Sequence, residues 1–99
     1  MKFEWDENKN RSNVRKHGIA FEEAVYVFSD DQALSMPDTE HSLHEERWIT
    51  LGGIREHGVV LVIHTERIRG VTDHIRIISA RRATKNEKKQ YYIRKGEHT

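Results

Sequence analysis

Apolar positions recur with two periods along the chain, and the change between them divides helix from sheet. Phe21, Ala24, Val25 and Phe28 follow i, i+3, i+4, i+7, which predicts an amphipathic helix over Phe21–Phe28. An aromatic pair at that spacing reads as core. Ser29-Asp30-Asp31 ends the helix, and Ala20 caps it weakly because it has no oxygen to accept an amide. From Gln32 onward the period shortens to two. Gln32–Met36, closed by the lone Pro37, reads as a strand, as do Arg47–Leu51, Val59–Thr65 and Ile75–Ala80. Gly52-Gly53 with Ile54–Gly58 reads as one hairpin turn, and Arg67–Asp73 with Gly70 as the next. Connections this short require antiparallel neighbours.

The ends follow the same logic. Phe3-Glu4-Trp5 alternates and can pair at a sheet edge, and Asp6 reads as a helix N-cap. Glu7–His17 has Val14 as its one aliphatic residue, so a polar surface helix is expected, stopped by Gly18. After the last strand, Thr84 and Glu87 have the spacing of a capping box for a helix over Lys85–Arg94. Tyr91, Tyr92 and Ile93 would supply its inward contacts, and Gly96 lies just past its end. Residues 1–99 therefore read as a single α+β domain: two N-terminal helices, a four-strand antiparallel sheet with a short N-terminal edge strand, and a C-terminal helix.

The stretch Ile75–Thr84 organises the rest. With strict alternation, Ile75, Ile77 and Ser79 share one face of the strand, and His74, Arg76, Ile78 and Ala80 share the other. Arg81 and Arg82 would then stand where strand gives way to helix, placed to meet a polyanion with guanidinium forks and free amides.

Composition narrows the class. Hydrophobic residues make up 35% and charged residues 33%, polar but still foldable. The absence of cysteine excludes disulfides and thiolate metal sites. No apolar signal core or run of about 20 apolar residues is present, so an aqueous, cytoplasmic setting without membrane contact is expected. Net charge is only +1, but it is unevenly spread. Residues 1–46 carry 5 Lys/Arg against 11 Asp/Glu, whereas residues 64–95 carry 10 against 3. A basic C-terminal side suggests a surface for nucleic acid; equally, the two halves could simply attract each other.

Candidate chemistry gathers in the basic half. A hairpin returning from Val59–Thr65 into Ile75–Ala80 could bring His64, Glu66 and Arg67 near His74 and Arg76. Cleavage of RNA by its 2′-hydroxyl needs a general base, an acid for the leaving oxygen and cations for the phosphorane, without a metal. His64 or Glu66 could move protons, with His74 and Tyr91 in reserve. Arg67, Arg76, Arg81 and Arg82 could hold phosphate, with Lys85, Lys88 and Lys89 extending the binding surface. Arg76, set among isoleucines, calls for a carboxylate partner or a ligand. His41 and His44 lie beside Glu40 and Glu45 in the acidic loop Asp38–Glu46, but their spacing matches no strong metal motif, so neither metal nor cofactor is expected.

Several of these pieces, taken in order, resemble the BrnT-type toxins of bacterial type II toxin–antitoxin systems. The matching residues are Phe3-Glu4-Trp5-Asp6, Asn13 with Lys16-His17-Gly18, Phe21–Ala24 and Val27-Phe28, Glu46-Arg47, His64–Arg67, and Ile75–Thr84 with Glu87. The resemblance implies a RelE-like fold and a metal-independent ribonuclease that blocks translation. It also implies a cognate antitoxin, encoded alongside, that neutralises the toxin in a complex repressing its own operator DNA, with DNA contacts mainly from the antitoxin. Ala20 departs from the hydroxyl residue expected before the second helix, and the turn Ile68–Asp73 is longer than usual. Two rival readings follow from the residues themselves. One is a non-catalytic nucleic-acid-binding or antitoxin-binding module; the other is a protein whose basic face serves only a protein partner.

Overall fold

Helix and strand alternate only once in this chain before the sheet takes over. The computed structural model describes residues 1–41, 46–69 and 72–94, and within these leaves aside the side chains of residues 41, 67–69, 72 and 94. The elements run β1 (Lys2–Glu4), α1 (Glu7–His17), α2 (Phe21–Ala24), a 3₁₀ helix (Val25–Ser29), β2 (Leu34–Pro37), a short 3₁₀ turn (Thr39–His41), β3 (Arg47–Ile54), β4 (Gly58–Arg69), β5 (Thr72–Arg82) and α3 (Lys85–Arg94). The result is a mixed α+β fold with a five-stranded sheet in the order β1-β5-β4-β3-β2. β2 to β5 form the expected antiparallel meander. The N-terminal strand joins as a fifth, parallel to β5, with Phe3 opposite Ile75.

Four expectations need correction. The turn expected over Arg67–Asp73 is shorter, because β4 runs on to Arg69 and β5 begins at Thr72. Gly52 and Gly53 are not a turn: β3 continues through them to Ile54, and the hairpin turn is the three residues that follow. Gly52 serves packing instead. A Cβ there would stand 2.7 Å from Val27 Cβ and 2.9 Å from its carbonyl oxygen, so only glycine lets the 3₁₀ helix lie on the sheet. Next, the helix expected over Phe21–Phe28 tightens after Ala24. At three residues per turn, Phe21, Ala24 and Val27 form the fully buried row, while Val25 and Phe28 are half-buried.

The last correction concerns β5, which does not alternate strictly. Ile63 pairs with Ser79 and His64 pairs with Ile77, which leaves Ile78 as a bulge. The extra residue resets the parity of the strand. Ile75, Ile77 and Ala80 share the face buried beneath α2 and the 3₁₀ helix, together with Val60 and Val62 of β4. Arg76, Ser79 and Arg81 are opposite Thr65, Ile63 and Leu61 and take the other face. Part of that second face is covered by α3, whose Tyr91 packs with Leu51, Val59, Leu61 and Ala83.

Buried polar groups fasten the layers. Asn13 of α1 donates to the carbonyls of Ile19 (2.9 Å) and Ala80 (2.8 Å) and accepts from the Ala80 amide (3.1 Å). β1 ends opposite Arg76, so the side chain of Asn13 completes the edge of β5 where a strand would otherwise be needed. Asn10 accepts from the Phe21 amide at 2.8 Å, and Glu23 accepts from the Ala20 amide at 3.0 Å. These two bonds supply the cap that Ala20 cannot. Asp30 joins both sides of the sheet, accepting from the Gly53 amide and from the Tyr91 hydroxyl.

Candidate nucleic-acid interface

Strand register decides which candidate side chains share a surface. Across an antiparallel pair, opposed residues point to the same side. His64 opposes Ile77 and Glu66 opposes Ile75, on the face covered by the N-terminal helices. Thr65 opposes Arg76, on the other, and His74 lies two residues before Arg76 on β5 and shares that side. The patch expected to unite His64, Glu66, Arg67, His74 and Arg76 is thus divided by the sheet itself.

His64 lies in the core. It is fully buried, with the Phe28 ring edge-on at 4.8 Å. Its Nε2 is 2.7 Å from the Thr50 hydroxyl, which in turn is 2.8 Å from the Ser35 hydroxyl. Burial pushes the imidazole down to about 4, so it is neutral at physiological pH. A solvent-borne phosphate cannot reach it. Glu66 sits at the rim of the same face, half-exposed, with Oε1 4.0 Å from His64 Nδ1. Burial, with Asp73 adding to it, raises its carboxyl above the usual range.

The expected phosphate ligands divide in a similar way. Arg76 is exposed on the open part of the second face, two residues from the half-buried His74. Arg81 shares that face but is engaged: its guanidinium donates to both oxygens of Glu87, at 2.8 and 3.1 Å. Glu87 also closes the capping box, accepting from the Thr84 amide while its own amide donates to Thr84 Oγ1. The Arg81 bond foremost holds the Glu87 carboxyl down at about 2. Arg81 therefore fixes the start of α3, and the pair absorbs the charge that would otherwise oppose the helix dipole. Arg82 points to the opposite side. It donates to the His17 carbonyl (3.3 Å) and contacts His57 Nδ1 (3.0 Å), while His57 Nε2 meets Glu23 at 2.8 Å. Tyr91 is buried, and burial together with its bond to Asp30 pushes its hydroxyl up, away from acid–base use near neutrality. Lys85, Lys88 and Lys89 are all exposed along α3. The Arg67 side chain and the loop holding His44 lie outside the described residues, as does the side chain of His41.

Sequence reasoning missed Asn13, Glu23, Thr50 and His57 as tertiary fasteners. The partners that Asn13, Thr50 and His57 fasten, and the His57 contact of Glu23, lie far along the chain, so no local signal marks these bonds. A sheet that buries one face beneath helices and offers arginine and histidine on the other defines, as a class, a small α+β protein with a surface suited to a polyanion.

Comparison with known proteins makes the class specific. The family model for the ribonuclease toxin BrnT of type II toxin–antitoxin systems matches residues 5–87. The crystal structure of the Brucella abortus ribonuclease toxin BrnT is similar in fold, with a TM-score of 0.64 and 24% sequence identity, covering 86% of this chain and 99% of that one. No curated protein sequence matches. The chain belongs to the BrnT family, the ribonuclease toxins of type II toxin–antitoxin systems, whose members work with an antitoxin partner.

Proposed function

We propose that this chain is an active endoribonuclease of the cytoplasm and that its RNA site is the open part of the second sheet face, centred on Arg76. The observation that carries this reading is the register of β4 and β5. It places Arg76 next to Thr65, with His74 two residues earlier on the same side of β5, the side the N-terminal helices leave uncovered. Arg76 holds the scissile phosphate and stabilises the charge of the phosphorane. His74 is the acid–base side chain on that surface. His74 takes the proton of the 2′-hydroxyl as that oxygen bonds to phosphorus, the bond from phosphorus to the 5′-oxygen breaks, and His74 passes the proton on to the leaving 5′-oxygen, which leaves a 2′,3′-cyclic phosphate. Among the earlier candidates, His64 and Tyr91 support packing, and Arg81 with Glu87 positions α3. Lys85, Lys88 and Lys89 offer phosphate contacts beyond the reacting group. A cognate antitoxin would cover the same basic face with an acidic segment, and the complex would reach operator DNA through the antitoxin.

Induced expression of wild type, Arg76→Ala and Arg76→Lys, followed by growth and total RNA, tests the proposal. Growth arrest with RNA fragmentation, lost in a folded Arg76→Ala chain and relieved by the antitoxin, is the expected result. A second reading, an RNA-binding or antitoxin-binding module without cleavage, draws on the burial of His64 and Tyr91. It predicts intact RNA and undisturbed growth from folded wild type.

A further inference from the structure

The N-terminal half of the chain is acidic, yet α1 is not. Glu7–His17 carries four Lys/Arg against one Glu, a local excess of +3 inside a region whose balance is −6. Lys9, Ser12 and Lys16 follow i, i+3, i+7 and so share one side of the helix. That side borders β5. Beyond Arg76 no strand among the described residues flanks the outer edge of β5, the side away from β4, and α1 occupies that edge, locked there by Asn13. The Ile78 bulge bends the strand at the same place. Between helix and bulge lies a concavity of about 170 Å³, lined by Lys9, Ser12, Lys16, His17 and Ser79 over a floor that includes Asn13. The floor is already committed, since Asn13 makes three hydrogen bonds to the backbone. The cations are not: among the described residues neither lysine makes an ion pair.

We propose that this concavity is an anion subsite that takes a phosphate of the RNA strand, flanking the one held by Arg76. The proposal rests on the ribonuclease reading above. Ser79 opposes Ile63 and therefore shares the face of Arg76. Their partners Thr65 and Ile63 are two residues apart on β4, so the two lie about 7 Å apart along the sheet, within reach of neighbouring phosphates of a single strand. The site supplies two ammonium groups, two hydroxyls and an imidazole, chemistry that suits a phosphate and carries no base preference. The bulge thereby does two jobs: it resets the faces of β5, and it opens the edge to α1.

The test measures binding of a 2′-O-methyl single-stranded RNA, which cannot be cleaved, across a salt series. The proteins are wild type, Lys9→Ala/Lys16→Ala, Lys9→Arg/Lys16→Arg and Arg11→Ala/Arg15→Ala. The last pair removes the same charge from elsewhere on the same helix. The expected result is about a tenfold loss of affinity in Lys9→Ala/Lys16→Ala, with a salt slope shallower by about 0.7 for the one lost phosphate contact. The arginine pair should retain affinity, and Arg11→Ala/Arg15→Ala should change the slope by less. Unchanged affinity and slope in a folded Lys9→Ala/Lys16→Ala chain, beside wild type that binds, would overturn the subsite alone. So would an intact RNA affinity with weakened antitoxin binding, which would assign the concavity to the protein partner. Wild type that neither binds nor cleaves RNA would overturn the ribonuclease reading, and the subsite with it.

Discussion

The two faces of β4 carry similar residue types to opposite ends. On the face beneath the helices, Thr50 and His64 are sealed from water and bonded to each other, and the imidazole is held neutral. On the other face, Arg76 is exposed, while Thr65 beside it is buried under its neighbours. The contrast is one of strand parity. A histidine one position away from the open face becomes packing, and an arginine on that face becomes available to a ligand. Chemistry here follows from which side of the pleat a residue takes, and Ile78 sets that side for the last third of β5.

Removing the bulge is the most direct way to break the contrast. Deleting Ile78 forces either Ile77 or Ala80 out of the core, so the expected outcome is loss of cooperative unfolding in a urea titration; a normal transition would show that the sheet tolerates another register. Arg76→Ala is next. Cleavage should fall by 10²- to 10³-fold, about 3 to 4 kcal/mol of transition-state stabilisation, with the thermal midpoint unmoved because the side chain is exposed. Equal losses of stability and activity would assign Arg76 to the fold instead.

The buried face should respond to pH. The folded His64 imidazole titrates at about 4, below the ordinary histidine value of about 6.5. The unfolded chain therefore takes up the proton first. Stability present above about pH 6.5 is lost as pH falls toward 4, by up to about 3 kcal/mol. Denaturant unfolding of wild type beside His64→Gln at several pH values reads this, and parallel profiles would refute it. Asn13→Leu removes three hydrogen bonds and leaves the Ala80 amide and carbonyl unpaired, a cost of about 2 to 3 kcal/mol by the same measurement. The smallest expected change is Glu87→Gln. It weakens both the cap and the Arg81 pair, about 1 kcal/mol at neutral pH. The difference from wild type should shrink as pH falls from 4.5 toward 2, because protonation of Glu87 removes the same charge.

Much of this molecule was legible one residue after another. The Thr84–Glu87 cap, the Asp6 cap and the Gly18 stop of α1 are local exchanges between a side chain and a nearby amide, or a backbone angle that glycine adopts freely. The meander followed from short connections between β-branched runs, and the family from the order of several short motifs. What the sequence could not set was everything that depends on a partner distant along the chain. Ile78 is one more aliphatic residue until β4 pairs across it. Gly52 looks like a turn until Val27 is laid against it. His64 looks like a catalyst until Phe28 and Thr50 close around it. Local hydrogen bonding and periodicity determined the elements and their order. Only the tertiary structure decided which side of the sheet each functional group would face, because register and burial are properties of two segments together.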